Sequence, residues 1–155
     1  MENNNDMTAF LSQKGYDPIP ILQNTVGLLL ITVKVNGIEG LFILDTGAGN
    51  SVVDTQHASH LLLNLQKECA SFTGAGAGGM GIEVIPSNGN EVEIGNHIVR
   101  DFTLAVMNLE HANQALTEAG AHDEFLGIIG VDILKPGKAI IDYSTMTLYL
   151  LSNPC

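Results

Sequence analysis

The most informative stretch of this sequence is Leu41-Phe42-Ile43-Leu44-Asp45-Thr46-Gly47-Ala48. Its four apolar residues predict a buried strand, and Asp45 follows at the point where that strand ends. A carboxylate beside a protein interior costs free energy unless hydrogen bonds or a partner stabilise it. Asp45 is therefore either satisfied by a local turn or retained for a function.

The two residues after Asp45 suit a tight turn close to its carboxyl group. Gly47 has no Cβ, so its backbone can approach the carboxylate and donate a hydrogen bond. Thr46 adds a stiff side chain with a hydroxyl group. Any Asp-x-Gly can also form an ordinary Asx turn, and the tripeptide alone leaves that interpretation open.

The flanking residues predict a mainly β fold. Strands at 28–35 and 40–44 surround Asn36-Gly37, a strong hairpin signal because both residues tolerate positive φ. Gly95-Asn96 predicts a second hairpin in the same way. Further strands are predicted at 51–53, 82–85, 91–94, 99–106, 139–143 and 146–151.

Helices are predicted at three places. Asp54 is a suitable N-cap for a helix over 55–62. Apolar residues at helical spacing predict a second helix over 109–119, and a short third one is expected at 131–134.

The composition indicates one globular domain. The chain has 155 residues, 45% of them hydrophobic, and a mean hydropathy of +0.22. We expect a single domain over 16–155, preceded by a polar arm at 1–15. The apolar runs are too short to span a bilayer, so no membrane span is expected.

The charge balance argues against nucleic acid as a partner. The sequence contains 6 Lys and Arg residues but 17 Asp and Glu residues, which gives a net charge of -11 and a pI of about 4.5. Such a surface repels phosphate backbones.

The two cysteines, Cys69 and Cys155, are far apart and form no metal or redox motif. No signal peptide is recognisable at the N-terminus, so we expect a cytoplasmic protein or an exported one whose signal has been removed.

Two further patterns do not indicate a cofactor or a metal. Residues 74–79 match G-x-G-x-x-G, but a strand rather than the required helix is predicted to follow. His57 and His60 are three residues apart, yet no recognisable ligand set surrounds them, and surface histidines are the favoured interpretation.

The order of these motifs resembles that of the retropepsin-like aspartic peptidases, and in particular their non-viral bacterial members. The residues that carry the resemblance are Leu30-Ile31-Thr32-Val33-Lys34-Val35-Asn36-Gly37, Leu41 to Ala48, Ser51-Val52-Val53, Gly127-Ile128-Ile129-Gly130-Val131-Asp132-Ile133-Leu134 and Ile140-Ile141-Asp142-Tyr143.

The resemblance implies a retropepsin-like closed β-barrel, the acid-protease fold with one lobe per chain, with two or three short helices. Asp45 would be the catalytic carboxylate, Thr46 would lock the two loops of a dimer together, and Gly47 would orient the carboxylate. Substrate contacts would come from Ala48 and from a flap that includes Gly76, Ala77, Gly78, Gly79 and Met80. The helix at 109–119 and the long N-terminal arm depart from the compact viral pattern.

A single Asp-Thr-Gly supplies only half of an acid–base pair. Two carboxylates about 4 Å apart repel by roughly 4 kcal/mol at an effective dielectric near 20, so they share one proton over a useful pH range. Asp132 lacks a following Thr-Gly and is expected to cap the helix at 131–134. The second aspartate is therefore expected from a symmetry mate, in a homodimer that hydrolyses peptide bonds.

Two other functions remain open from the sequence. The chain could be a peptide-binding or scaffold module that keeps the fold without turnover. It could also be a small β-barrel that binds another ligand, in which case a monomer is expected.

Overall fold

The computed structural model describes residues 5–73 and 81–152, and strands dominate its regular structure. In chain order the strands are β1 (Tyr16–Pro20), β2 (Leu22–Gln23), β3 (Leu29–Val35), β4 (Ile38–Leu44), β5 (Val52–Asp54), β6 (Ser71–Thr73), β7 (Ile82–Ile94), β8 (His97–Met107), β9 (Phe125–Ile129), β10 (Ile140–Asp142) and β11 (Thr147–Leu151). The α-helices of these ranges are α1 (Asn5–Gln13), α2 (Glu110–Glu118) and α3 (Val131–Leu134).

Eight strands form one curved sheet in the order β2-β3-β4-β9-β5-β8-β7-β6. Strand β3 also pairs with β7, through Lys34 with Glu93 and Val35 with Val92. This additional pairing closes a ring of strands from β3 round to β7. The predicted mainly β architecture with few helices is therefore confirmed.

Both predicted hairpins are present. Asn36 and Gly37 have φ values of 51° and 84°, and Val35 pairs with Ile38 across the turn. Positive φ at both central residues gives a turn whose twist matches that of the strands. Gly95, with φ of 57°, turns β7 into β8. These hairpins fix the register of the strands on either side.

The core lies inside the ring of strands. Along β3 the buried side chains alternate with exposed ones from Ile31 to Val35, as expected for a strand with one face inward. Phe42 and Ile129 are fully buried on β4 and β9, which run parallel to each other. Burying a side chain such as Phe42 stabilises the fold by about 1.5–3 kcal/mol.

A second sheet joins the two ends of the chain in the order β1-β11-β10. Helix α1 lies against it, since the hydroxyl groups of Thr8 and Tyr149 are 2.7 Å apart and Leu11 is buried. A helix thus occupies the segment for which the sequence predicts only a polar arm. The division into an arm at 1–15 and a domain at 16–155 stays a prediction.

The predicted helix over 55–62 is wrong. Only Thr55–His57 forms a helical turn, of the 3-10 type. Residues 58–62 continue as turns with hydrogen bonds of mixed span, such as the Leu62 N–H to the Ser59 carbonyl at 3.1 Å and the Leu63 N–H to the Ala58 carbonyl at 2.9 Å, and they end at Leu62 with a φ of 59°. Asp54 caps this turn as expected, accepting a hydrogen bond from the backbone N–H of Gln56 at 3.5 Å.

The other two helices agree with the sequence. Helix α2 covers most of the predicted 109–119 segment, although none of its residues is fully buried. Its attachment is polar, since Asn113 Nδ2 donates to Asp54 Oδ2 at 3.0 Å. Helix α3 lies where it is predicted, with Ile133 and Leu134 in the core.

Candidate active site

Asp45 lies where β4 leaves the core. The preceding residue, Leu44, is buried, and Asp45 itself is partly exposed. Its backbone N–H donates to the carbonyl oxygen of Ile129 at 3.0 Å. The end of β4 is therefore tied to the end of β9, and the Asp45 carboxyl group stands at the edge of the barrel.

The hydrogen bond predicted between Gly47 and the carboxylate is present. The backbone N–H of Gly47 donates to Asp45 Oδ1 at 2.8 Å. The N–H of Ala48 donates to the carbonyl oxygen of Asp45 at 3.2 Å and closes the turn. An Asx turn makes the same first bond, so the functional interpretation depends on the position of this turn in the fold.

Residues 45–51, which connect β4 to β5, form the Asp45 loop. The turn after β9 packs directly on this loop. The N–H of Val131 donates to the carbonyl oxygen of Ala48 at 2.9 Å. At Gly130 an added Cβ would lie 2.5 Å from that same oxygen. Only a glycine lets the two segments approach so closely. Two motifs that lie far apart in the sequence thus meet at one point.

Asp132 does not cap α3 as the sequence predicts. Gly130 occupies the N-cap position of that helix, which has no side-chain cap. Instead, Asp132 Oδ2 accepts from the backbone N–H of Ser51 at 2.8 Å, and Oδ1 accepts from its hydroxyl group at 2.7 Å. The sequence gives no local signal for this pair because its members lie far apart in the chain.

Thr46 is exposed beside an apolar hollow. The hollow has a volume of about 660 Å³. It is lined by Thr46, Val131, Leu134, Lys135, Lys138, Ala139 and Ile141. Apolar surface thus lies next to the catalytic candidate.

The predicted flap residues lie outside the part of the chain that the structure describes. These are Gly76, Ala77, Gly78, Gly79 and Met80. The segments on either side form β6 and the start of β7, which pair in antiparallel fashion. The glycine-rich stretch is followed by a strand, as the argument against a dinucleotide fingerprint expects.

A second hollow, of about 740 Å³, lies between α2 and the turn after β5. Its buried carboxylate, Asp54, accepts hydrogen bonds from the backbone N–H of Leu109 and from the side chains of Gln56 and Asn113. Asp54 is therefore engaged in holding α2. Its bonds give it a structural role, in contrast to the accessible Asp45.

The described ranges hold neither a metal cluster nor a helix that could span a membrane. His57 and His60 line one shallow hollow with Glu39 and Glu124. Within residues 5–73 and 81–152, no three His, Cys, Asp or Glu side chains converge in a way that could hold a metal ion. None of the helices described there is long and apolar enough to cross a membrane.

Comparison with known proteins agrees with this geometry. A family model described as aspartyl protease matches residues 31–133, which is more than half of the chain. A search of curated proteins finds no significant match.

Three solved structures illustrate the similarity of fold. A retropepsin-like aspartic protease from Rickettsia conorii is 22% identical, with a TM-score of 0.55, and the match covers 87% of this chain and 90% of that one. The retroviral protease-like domain of Ddi1 from Leishmania major is 18% identical, with a TM-score of 0.54 and coverages of 79% and 87%. EIAV protease, complexed with the inhibitor HBY-793, is 21% identical, with a TM-score of 0.50 and coverages of 78% and 98%. The predicted retropepsin-like fold is confirmed.

Proposed function

Because this chain belongs to the aspartyl protease family, we propose that it is an aspartic endopeptidase whose active site forms between two copies of Asp45 in a homodimer. The observation that carries the proposal is the placement of Asp45. Its carboxyl group is held by the Gly47 N–H at 2.8 Å, at the end of a buried strand and on a loop that the Gly130 turn supports. A carboxylate held in this way is preorganised for proton transfer.

The second carboxylate has to come from another chain. The nearest acidic candidate in the sequence motif, Asp132, uses both carboxylate oxygens to bind Ser51. It is therefore engaged in the support of the loop. A two-fold axis near Asp45 would bring the same residue of a second copy into the site.

The apolar hollow beside Thr46 supports this arrangement. It adjoins the Asp45 loop, so a second copy that covers Val131, Leu134 and Ile141 would also bring its own loop close. We assign Thr46 the role of locking the two loops together across the axis. Strand β11 already has β1 and β10 on its two sides, so it does not need a strand of the partner.

The reaction follows from two carboxyl groups that share one proton. The ionised Asp45 takes a proton from a water molecule, whose oxygen attacks the carbonyl carbon of the peptide. The protonated Asp45 of the second copy gives its proton to the carbonyl oxygen. In the collapse of the tetrahedral intermediate the first Asp45 passes the proton that it took from water to the amide nitrogen, a hydroxyl group of the intermediate returns a proton to the second Asp45, and the carbon–nitrogen bond breaks.

The substrate in this proposal is an extended peptide or protein segment. It would bind by strand-like pairing of its backbone, with Ala48 next to the scissile bond. Ala48 suits this position because its small side chain leaves room for a backbone. Its carbonyl oxygen already accepts from Val131, which keeps the residue in place.

The direct test is the Asp45→Asn variant. Asn has the same size and can still accept the Gly47 hydrogen bond, so the fold and the dimer should persist, but it cannot exchange a proton. We expect cleavage of an unfolded protein such as oxidised insulin B chain to fall to background. Asp101→Asn is the matched control, because Asp101 is exposed and its φ of 52° suits Asn.

The alternative is a peptide-binding or scaffold module with the same fold. Such a module would bind the peptide in the wild-type protein without cleaving it, and Asp45→Asn would bind it equally well. Peptide cleavage by the wild type that survives in Asp45→Asn would contradict the proposed mechanism outright.

A further inference from the structure

Three groups form a hydrogen-bonded chain between the Asp45 loop and the turn after β9. The backbone N–H of Gly130 donates to Ser51 Oγ at 2.9 Å. The Ser51 hydroxyl group then donates to Asp132 Oδ1 at 2.7 Å, and the Ser51 N–H donates to Asp132 Oδ2 at 2.8 Å. We call Ser51 and Asp132 the clamp. Ser51 is fully buried.

The direction of these bonds follows from the chemistry of the groups. A backbone N–H can only donate, so Ser51 Oγ is the acceptor from Gly130 and its own hydrogen is free for Asp132. An ionised carboxylate only accepts, and here both of its oxygens do so. Hydrogen bonds to a charged group are shorter and stronger than those between neutral groups. The clamp is therefore a firm link between two loops.

The clamp holds the end of the loop that lies opposite Asp45. At the first end, the Asp45 N–H is bonded to Ile129, and in the middle the Ala48 carbonyl group is bonded to Val131. Ser51 supplies the third attachment. All three attachments lead to residues 129–132, while Thr46 and Asn50 between them are exposed. Without the clamp, this end of the loop keeps the hydrogen bond from the Ala105 N–H to the Ser51 carbonyl oxygen at 3.2 Å and the pairing of Val52 in β5, but it loses its link to residues 130–132.

We propose that Ser51 and Asp132 are positioning residues that set the separation of the two Asp45 carboxyl groups, an inference that rests on the proposed function. Neither residue touches the substrate in this account. They act through the loop, whose shape fixes where the carboxyl group lies relative to the two-fold axis.

This role has a signature that a merely stabilising contact lacks. The repulsion energy between two carboxylates is inversely proportional to the distance between them. The pH window in which they share one proton therefore narrows when they move apart. If the separation of the two carboxylates increases from about 4 Å to about 5 Å at an effective dielectric near 20, the pH range in which they share one proton narrows by about half a unit.

The test compares Ser51→Ala and Asp132→Asn with the wild type. The probe is cleavage of oxidised insulin B chain, with kcat and KM measured from acid to neutral pH. We expect the pH window of kcat/KM to narrow by about half a unit. We also expect kcat to fall roughly tenfold with little change in KM, because a displaced catalytic group reduces turnover more than binding.

The double variant shows whether the two residues act as a unit. If they form one clamp, Ser51→Ala together with Asp132→Asn should lower kcat by no more than about twofold beyond the worse single variant. Losses that multiply would mean that the residues act independently, and this would overturn the clamp.

Asp54→Asn is the matched control. Asp54 is also a buried carboxylate, lies at the other end of β5 and accepts from the Leu109 N–H at 3.3 Å and from Asn113 at 3.0 Å. Its variant should lower the unfolding temperature and leave the pH window unchanged. An equal narrowing in Asp54→Asn, or an unchanged window in Ser51→Ala, would overturn the proposal.

Amide hydrogen exchange tests the clamp without any need for activity. The N–H groups of Gly47 and Ala48 are bonded to Asp45 and report directly on its loop. In Ser51→Ala we expect them to exchange roughly tenfold faster than in Asp54→Asn. Equal exchange in the two variants would overturn the clamp. Faster exchange in Ser51→Ala, together with a wild-type protein that cleaves no peptide, would refute only the proposed function.

Discussion

At the scale of single residues, the geometry around Asp45 depends on two glycines, whose lack of a side chain allows close backbone contacts. Gly130 allows the turn after β9 to touch the carbonyl oxygen of Ala48, and Gly47 brings its N–H to the carboxylate. The hydrogen bond of Gly47 follows from the Asp-Thr-Gly sequence itself. The contact of Gly130 does not, since it joins segments that only the finished fold brings together.

Gly130→Ala should therefore damage both stability and activity. The added Cβ would lie 2.5 Å from the carbonyl oxygen of Ala48, and neither backbone segment can move without breaking the Val131 hydrogen bond. We expect the free energy of unfolding to fall by about 1–3 kcal/mol, measured by urea denaturation.

Gly49→Ala is the control for this prediction. Gly49 lies in the same loop, but its added Cβ meets nothing within 4 Å. The free energy of unfolding should stay within about 0.5 kcal/mol of the wild-type value. Equal losses in the two variants would show that the close contact at Gly130 has no special importance.

At the scale of secondary-structure elements, locally encoded features could be predicted and long-range ones could not. The hairpin at Asn36-Gly37 needs only two residues with positive φ, and it is where the sequence places it. The helix predicted over 55–62 has the expected cap at Asp54, but only Thr55–His57 is helical, and the chain continues in turns up to Leu62. Helix α1 was missed because its support comes from the opposite end of the chain, where the Tyr149 hydroxyl group bonds to that of Thr8.

The same distinction applies to the candidate site. Asp45, Thr46 and Gly47 stand out as a motif with an apolar run before it. The clamp between Ser51 and Asp132 was missed, because a serine and an aspartate 81 residues apart carry no pattern that links them. Their pairing follows from the packing of β5 and α3 around the end of β9.

The turn between β10 and β11 gives a pH-dependent prediction at this scale. Hydrogen bonds from the Ser144 hydroxyl and Thr145 hydroxyl groups, and from the Ser144 N–H, lower the pKa of Asp142. A lowered pKa in the folded state means that the ionised group stabilises the fold above the ordinary aspartate value of about 3.9. This contribution is lost as the pH falls through the lowered value.

Asp142→Asn should therefore be less stable than the wild type at pH 6 to 7, roughly the range where the carboxylate is fully ionised. The difference should shrink below about pH 4. Thermal unfolding across this pH range measures it. Thr145→Ala, which removes one of the donors, should show the same trend with a smaller amplitude, and a stability difference that does not change with pH would contradict this assignment.

At the scale of the whole molecule, the proposed homodimer requires a second Asp45 and a surface on which a second copy can lie. The barrel positions Asp45, strand β11 is paired on both sides within the chain, and the hollow beside Thr46 faces outward with apolar residues such as Val131 and Ile141. Dimer formation and catalysis are therefore one event in this account. Dilution below the dimer dissociation constant should abolish cleavage without unfolding the protein.

The most direct test of the central claim mixes wild-type chains with Asp45→Asn chains, refolds them together and measures cleavage at constant total protein. If each site needs one Asp45 from each of two chains, only dimers of two wild-type chains are active. An equal mixture should then retain about one quarter of the wild-type activity, because chains pair at random in an isologous dimer. Retention of about one half, the value for a site that each chain completes alone, would contradict the account.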